Sequence, residues 1–313
     1  MHPRRCSFGG GLLLAAVALA SPCFAQAAAT SRTIYVSVLD NKKAPVTGLT
    51  AADFALKEGG KARDLTRVEV ATAPLQVAIV IDDDDQGGRA IPAALTAFAK
   101  KMAGRADIAI VTTRGGPNLR LPFTRDPEAI LTAIDQLPLV NPGLAYLPNG
   151  MLDISAAWGR KPVERPVIIG IASPGLTVAS TEDGPDGRVP STRTVGATVN
   201  PSSPSGAVVQ DAIRRSHTIF YMLHLDTYQA RSVDNSAPEV HYSWPTDAPA
   251  ESGGRTERIV SVQGLTAVFE RLADELLGQY ALTYQSPDAP TNVKLEIDVK
   301  RKGVTVRAPQ KIY

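Results

Sequence analysis

Cysteine is almost absent from this chain. The two it has, Cys6 and Cys23, both fall within the first 25 residues. Once that segment is removed no thiol remains, so disulfides are excluded and the core alone must hold the fold. An excess of one charge sign is also missing. Lys and Arg number 33 against 31 Asp and Glu, and a formal charge of +2 argues against a nucleic-acid surface. Past the first 25 residues, no run approaches the ~18 apolar residues of a membrane span. There is no Gly-Lys-Ser/Thr phosphate loop. There is no Gly-x-Ser-x-Gly nucleophile turn either: Ile171 stands where the first glycine before Ser173 belongs. His217, His224 and His241, the histidines beyond the start of the chain, show no zinc-ligand spacing.

What is present begins with an export signal over residues 1–25. Arg4 and Arg5 supply its positive start, and LLLAAVALA its apolar segment. Cleavage after Ala25 (CFA) is expected, with Ala27 (AQA) as the alternative. The apolar segment is too short for a stable anchor. A lipoprotein signal through Cys23 is opposed by Pro22, and the residues after Arg4-Arg5 do not match a twin-arginine signal. The expected location is therefore periplasmic or secreted, with no transmembrane segment after signal removal. Loss of the two arginines also removes the net charge.

The rest of the chain is globular in composition: 44% apolar and 20% charged over 313 residues. That length suits about two domains of ~150 residues. Its centre is residues 75–85, LQVAIVIDDDD. A charge-free apolar run of this kind fits a strand buried on both faces of a parallel sheet. Ligands of open α/β sheets bind beyond the carboxyl ends of such strands, which is where the aspartates stand. Strand and helix patterns then alternate. Ile91, Ala94, Leu95, Phe98 and Met102 mark one helix, ended by Gly104. DIAIVTT is a second buried strand, and residues 118–123 a short edge strand. Asp126-Pro127 caps the next helix, and Met151, Ile154 and Trp158 mark another. VIIGIA and TIFYMLHL are further buried strands. Val262 to Leu276 carries a strong amphipathic stripe.

Both ends read as β structure, residues 31–72 and 280–313. Thr50 with Asp53 makes a capped turn, and Glu58-Gly59-Gly60-Lys61 and Lys302-Gly303 are hairpin turns. Each set alone is marginal, so the two are expected to pack together as a flanking β subdomain. Residues 176–206 and 228–256 are rich in Ser, Pro, Gly and Asp, and are expected to be long loops.

An aspartate closing the first strand of an alternating strand–helix domain resembles a von Willebrand factor A-type domain. The flanks sharpen the resemblance. VTGLTAADFALKEGGKARDLTRVE, Glu251-Ser252-Gly253-Gly254, and FERLADELLGQYALTYQSPD followed by VKLEIDVKRKGVTVRAPQKIY are similar, in order, to the secreted bacterial VWFA-related family. The resemblance covers nearly the whole chain after the signal. It implies an α/β fold: a mostly parallel, doubly wound, Rossmann-like domain over residues 75–279. It also implies a non-enzymatic, adhesion-type module with a protein partner of unknown identity and no nucleic acid.

That family's metal site uses Asp-x-Ser-x-Ser, a threonine from a middle loop and a distant aspartate. Here Asp82 keeps the first position, Asp84 and Gln86 replace the serines, Leu144 replaces the threonine, and Ser173 stands near the aspartate's place. The site is degenerate. Asp82, Asp84 and Asp85 remain as candidate metal residues, either as a modified cation site or as a solvated acidic loop. Mg²⁺ tolerates such gaps poorly and Ca²⁺ better, so no cofactor or weakly bound Ca²⁺ is expected. Leu144, Ser173, Asp226 and Trp244 form a candidate partner-contact rim. The alternative is a hydrolase or metal-dependent enzyme using Ser173, His224 and Asp226.

Overall fold

The structure is a computed structural model, and it describes residues 30–82, 88–138, 146–172, 204–225, 243–286 and 292–313. The expected signal segment lies outside these residues. The strands and helices run in this order: β1 (Thr30–Leu39), β2 (Phe54–Glu58), β3 (Lys61–Arg63), β4 (Leu65–Val70), β5 (Leu75–Asp82), α1 (Ala90–Met102), β6 (Ala106–Thr112), β7 (Asn118–Thr124), α2 (Pro127–Asp135), α3 (Leu147–Arg160), β8 (Arg165–Ala172), α4 (Gly206–Arg215), β9 (Ile219–Leu225), α5 (Ser243–Ser252), β10 (Arg255–Ile259), α6 (Leu265–Leu277), β11 (Tyr280–Ser286), β12 (Val293–Val299), β13 (Thr305–Arg307) and β14 (Lys311–Ile312).

Six of these strands form the central sheet, in the order β10-β9-β8-β5-β6-β7. All neighbours are parallel except β7, which runs antiparallel at one edge. This is the doubly wound, Rossmann-like order, whose direction of winding reverses between β5 and β8. Both faces of β5 are buried, which explains its unbroken apolar sequence. Val77, Ile79 and Ile81 face α1 and α6, where Phe98 meets Phe269 edge to face at 5.6 Å. Ala78 and Val80 face the opposite cluster, which holds Met151, Trp158 and Val209. Each fully buried large apolar side chain contributes about 1.5–3 kcal/mol. The architecture is therefore the expected mixed α/β, mostly parallel and doubly wound one. Trp158 is a core residue, and its Nε1 donates to Gln76 Oε1 at 3.0 Å.

The remaining strands form two four-stranded sheets, β13-β1-β11-β4 and β14-β12-β2-β3. In each, strands from the two ends of the chain pair with one another: β1 with β11 and β13, β2 with β12. Val36, Val38, Phe54, Leu56, Leu282, Tyr284 and Leu295 share their core. The Thr50–Asp53 turn is a capped one: Thr50 N donates to Asp53 Oδ2 at 2.8 Å. Gly59 and Gly60, at φ of 57° and 77°, make the β2–β3 turn.

One loop expectation is corrected. Residues 228–256 are not all loop: Ser243–Ser252 is helix α5 and β10 starts at Arg255. Pro249 inside α5 and the near absence of an apolar stripe hid the helix from periodicity. Tertiary packing holds it instead. Ala248 is buried, Ser252 Oγ accepts from Phe220 N at 2.9 Å, and Gly254 N donates to Pro249 O at 2.9 Å. Of residues 176–206 only the last three are described, with Ser205 capping α4.

Candidate functional site

The site is built on the end of β5. The register sets Ile81 beside Thr112 of β6, so the next residues, Asp82 and Thr113, are brought together. Thr113 Oγ1 donates to Asp82 Oδ2 at 2.7 Å, and its N donates to Ile81 O at 2.9 Å. The start of α3 closes from the other side, where Tyr146 N donates to the same Oδ2 at 2.8 Å. Gly150 permits that approach: a Cβ there would lie 2.6 Å from Thr113 Cγ2 and 3.1 Å from Val80 Cγ1.

The second carboxylate oxygen faces Arg114. Nε stands 2.8 Å from Oδ1, with Asp82 fully buried and the arginine side chain 9% exposed. The contact is an ion pair without the alignment of a hydrogen bond. Burial raises the Asp82 pKa. The Thr113 hydroxyl, the Arg114 charge and the backbone N–H groups of Tyr146 and Leu147 oppose that rise without cancelling it.

Sequence reasoning singled out Asp82 and passed over the three residues that hold it. Thr113 closes the buried segment DIAIVTT and Arg114 directly follows it, so a cation at the same end of the sheet was a readable signal. Tyr146 acts through its backbone and left none.

Among the described residues, both oxygens of Asp82 are already engaged. One Asp82 oxygen takes two donors, and the other already has a positive group against it. Among the described residues, no group of three or more His, Cys, Asp or Glu converges on one point. Asp84, Asp85, Leu144, Ser173 and Asp226 lie outside the described residues, and Trp244 falls in the first turn of α5. His224 is in register with Ala172, and Ala172 with Asp82. Two strand spacings, about 10 Å, separate His224 from Asp82 on that row, too far for a direct hydrogen bond. No described helix is long and apolar enough to cross a membrane.

No family model and no curated protein matches this chain. Solved structures of similar fold do. One is the vWF domain of the type V pili tip protein Mfa5 from Porphyromonas gingivalis, at 13% identity over 65% of this chain and 95% of that one, with a TM-score of 0.43. Another is the SpRpn10 VWA domain, at 14% identity over 62% and 93%, TM-score 0.38. A third is proximal thread matrix protein 1 from the mussel byssus, at 12% identity over 71% of this chain and a TM-score of 0.42; the chain spans about half, 49%, of that protein. The strand order and the direction of the edge strand, rather than these likenesses, define the fold.

Proposed function

We propose that the chain is a non-enzymatic protein-binding module of the von Willebrand A class, exported to the periplasm or beyond the cell, and that it holds its partner without a metal ion. One observation carries the metal-free part: Arg114 lies against Asp82 where a cation would otherwise balance the carboxylate. A guanidinium stays charged at every physiological pH and cannot be removed by a chelator. The partner-binding face is then the carboxyl end of the sheet, where β5, β8 and β9 finish; Ser173 and Asp226 follow β8 and β9 in sequence, and Leu144 precedes α3. The partner is a protein of the cell envelope or its surroundings.

Thermal unfolding of the protein after signal removal tests the metal-free reading. Chelator and millimolar Mg²⁺ should leave the transition in place, and millimolar Ca²⁺ should move it slightly at most. A large Mg²⁺-induced rise that disappears in Asp82→Asn would overturn it, because a ligand that binds only the native state must raise the transition.

A further inference from the structure

A second cleft lies at the opposite end of the central sheet, where the flanking β strands meet the starts of β8 and β9. Its main chamber has a volume of ≈ 310 Å³. One wall is β1 from Arg32 to Tyr35 together with Lys311 and Ile312 of β14 and the Tyr313 that follows. The other is Val163 and Glu164 ahead of β8, and His217 and Ile219 at the start of β9. A smaller chamber of ≈ 50 Å³ continues toward α4 and α5, sharing His217, Pro309, Lys311 and Tyr313 with the first. The main chamber is at the lower end of the size range of small-molecule sites, and it sits between two packed units, where such sites concentrate.

Its chemistry is asymmetric. Arg32 and Lys311 bring positive charge to the end near His217. Lys311 makes no ion pair with a described residue. The cation and anion of the smaller chamber, Arg214 and Glu251, are already paired with each other, and Gln210 also donates to Glu251 at 2.9 Å. Glu164 lies at the other end, beside Tyr35. Between these ends the walls are Ile34, Ile219 and the rings of Tyr35 and Tyr313.

His217 lines both chambers. It follows α4 with φ of 52°, in the left-handed region where a helix usually ends on glycine. His217 N donates to Arg214 O and Thr218 N to Ile213 O, both at 3.1 Å, so this φ belongs to the turn that ends α4. Burial first, and the charge of Arg32 second, lower its pKa, so the imidazole is neutral near pH 7 and can donate or accept.

We propose that this cleft is a binding site for a small monoanion with a flat apolar body, its charge met by Arg32 and Lys311 and its body held between Tyr35 and Tyr313. A dianion is disfavoured by Glu164 at the far end.

The test uses 2-naphthoate as the monoanion and 2-naphthamide as its neutral isostere, with the whole chain after signal removal, followed by thermal shift and calorimetric titration. The expected result is saturable binding of naphthoate, with naphthamide at least about tenfold weaker, the worth of one hydrogen bond to a charged group. Arg32→Gln with Lys311→Gln should weaken naphthoate by more than tenfold, while Lys61→Gln, a charge removed from a distant turn, should leave it unchanged. Thr33→Trp, which adds bulk to the cleft wall while keeping both cations, should abolish binding, and it decides the matter if the double variant fails to fold. Absence of saturable binding, equal binding of the amide, or binding that survives Thr33→Trp would overturn the proposal. None of these outcomes depends on the site at Asp82.

Discussion

Replacing Arg114 with methionine removes the counter-charge of Asp82 while keeping an apolar stem in its place. Asp82 is fully buried, and Arg114 is 9% exposed. Among the described residues, the variant leaves a carboxylate with the Thr113 hydroxyl and backbone N–H groups but no positive partner. Breaking a buried pair from one side costs about 3–5 kcal/mol, a large part of the ~5–15 kcal/mol that holds a typical domain. The cost depends on pH, and its sign follows from the titration of Asp82. Its folded pKa already lies above the ordinary 3.8. The group therefore favours folding most below the unfolded pKa, and that advantage declines as pH rises through the folded one. Removing Arg114 takes away one of the influences that lower the folded pKa, so the window extends upward. The deficit relative to wild type should be full at pH 7–8 and should shrink on acidification toward that window. Adding Asp82→Asn to Arg114→Met should recover stability, because it removes the uncompensated charge. Urea midpoints of the wild type, both single variants and the double variant, at neutral and acidic pH, give the coupling. Coupling within about 0.5 kcal/mol of zero, or a deficit that grows as pH falls, would refute the assignment of Arg114 as the charge partner.

Two further predictions concern the junction between the sheet domain and the flanking strands. Glu275 of α6 is buried, accepts from Tyr221 Oη at 3.0 Å and from Arg307 Nη1 at 2.8 Å, and pairs with Arg255. Glu275→Gln leaves two guanidinia without their shared anion and should cost about 3 kcal/mol or more. Amide exchange should then quicken at residues 305–307, and unchanged protection there would show that the cluster does not secure β13. Gly254→Ala places a Cβ 1.9 Å from the Phe220 carbonyl oxygen, backbone against backbone. Neither side can yield without moving β9 or α5, so a loss at or above the usual ~1–3 kcal/mol of overpacking is expected in denaturant titration, and a wild-type midpoint would contradict this packing.

Much of the fold is legible in the sequence because burial on both faces leaves a plain mark. LQVAIVID, DIAIVTT, VIIGIA and TIFYMLHL are charge-free apart from their ends, and each holds a central strand. The short turn at Glu58–Lys61 and the cap at Asp126 are equally readable, since Gly59 and Gly60 take left-handed φ and Asp126 Oδ1 accepts from Glu128 N at 3.0 Å. Joining the two chain ends needs only the instability of short isolated hairpins. Helix α5 was illegible for the opposite reason. Its sequence SWPTDAPAES has no apolar stripe, and what fixes it is Ser252 and Ala248 meeting β9 and the sheet core, contacts that no local window contains.

The site divides along the same line. Asp82 is visible because a carboxylate ending a buried strand is rare, and a fully buried charge must be balanced by something. A sequence can raise that demand without showing what meets it. Read by subtraction from a metal site, the chain offers only gaps at Leu144 and Ser173. The answer required the β5–β6 register, which sets Asp82 beside Thr113 and so within reach of Arg114, 32 positions along the chain. A cation drawn from solution would tie the charge balance at Asp82 to free divalent concentration, whereas an arginine fixes it whenever the chain is folded. On the proposed reading, the binding face is therefore ready as soon as folding is complete, and its affinity should respond to screening by salt rather than to the identity of the divalent ion present.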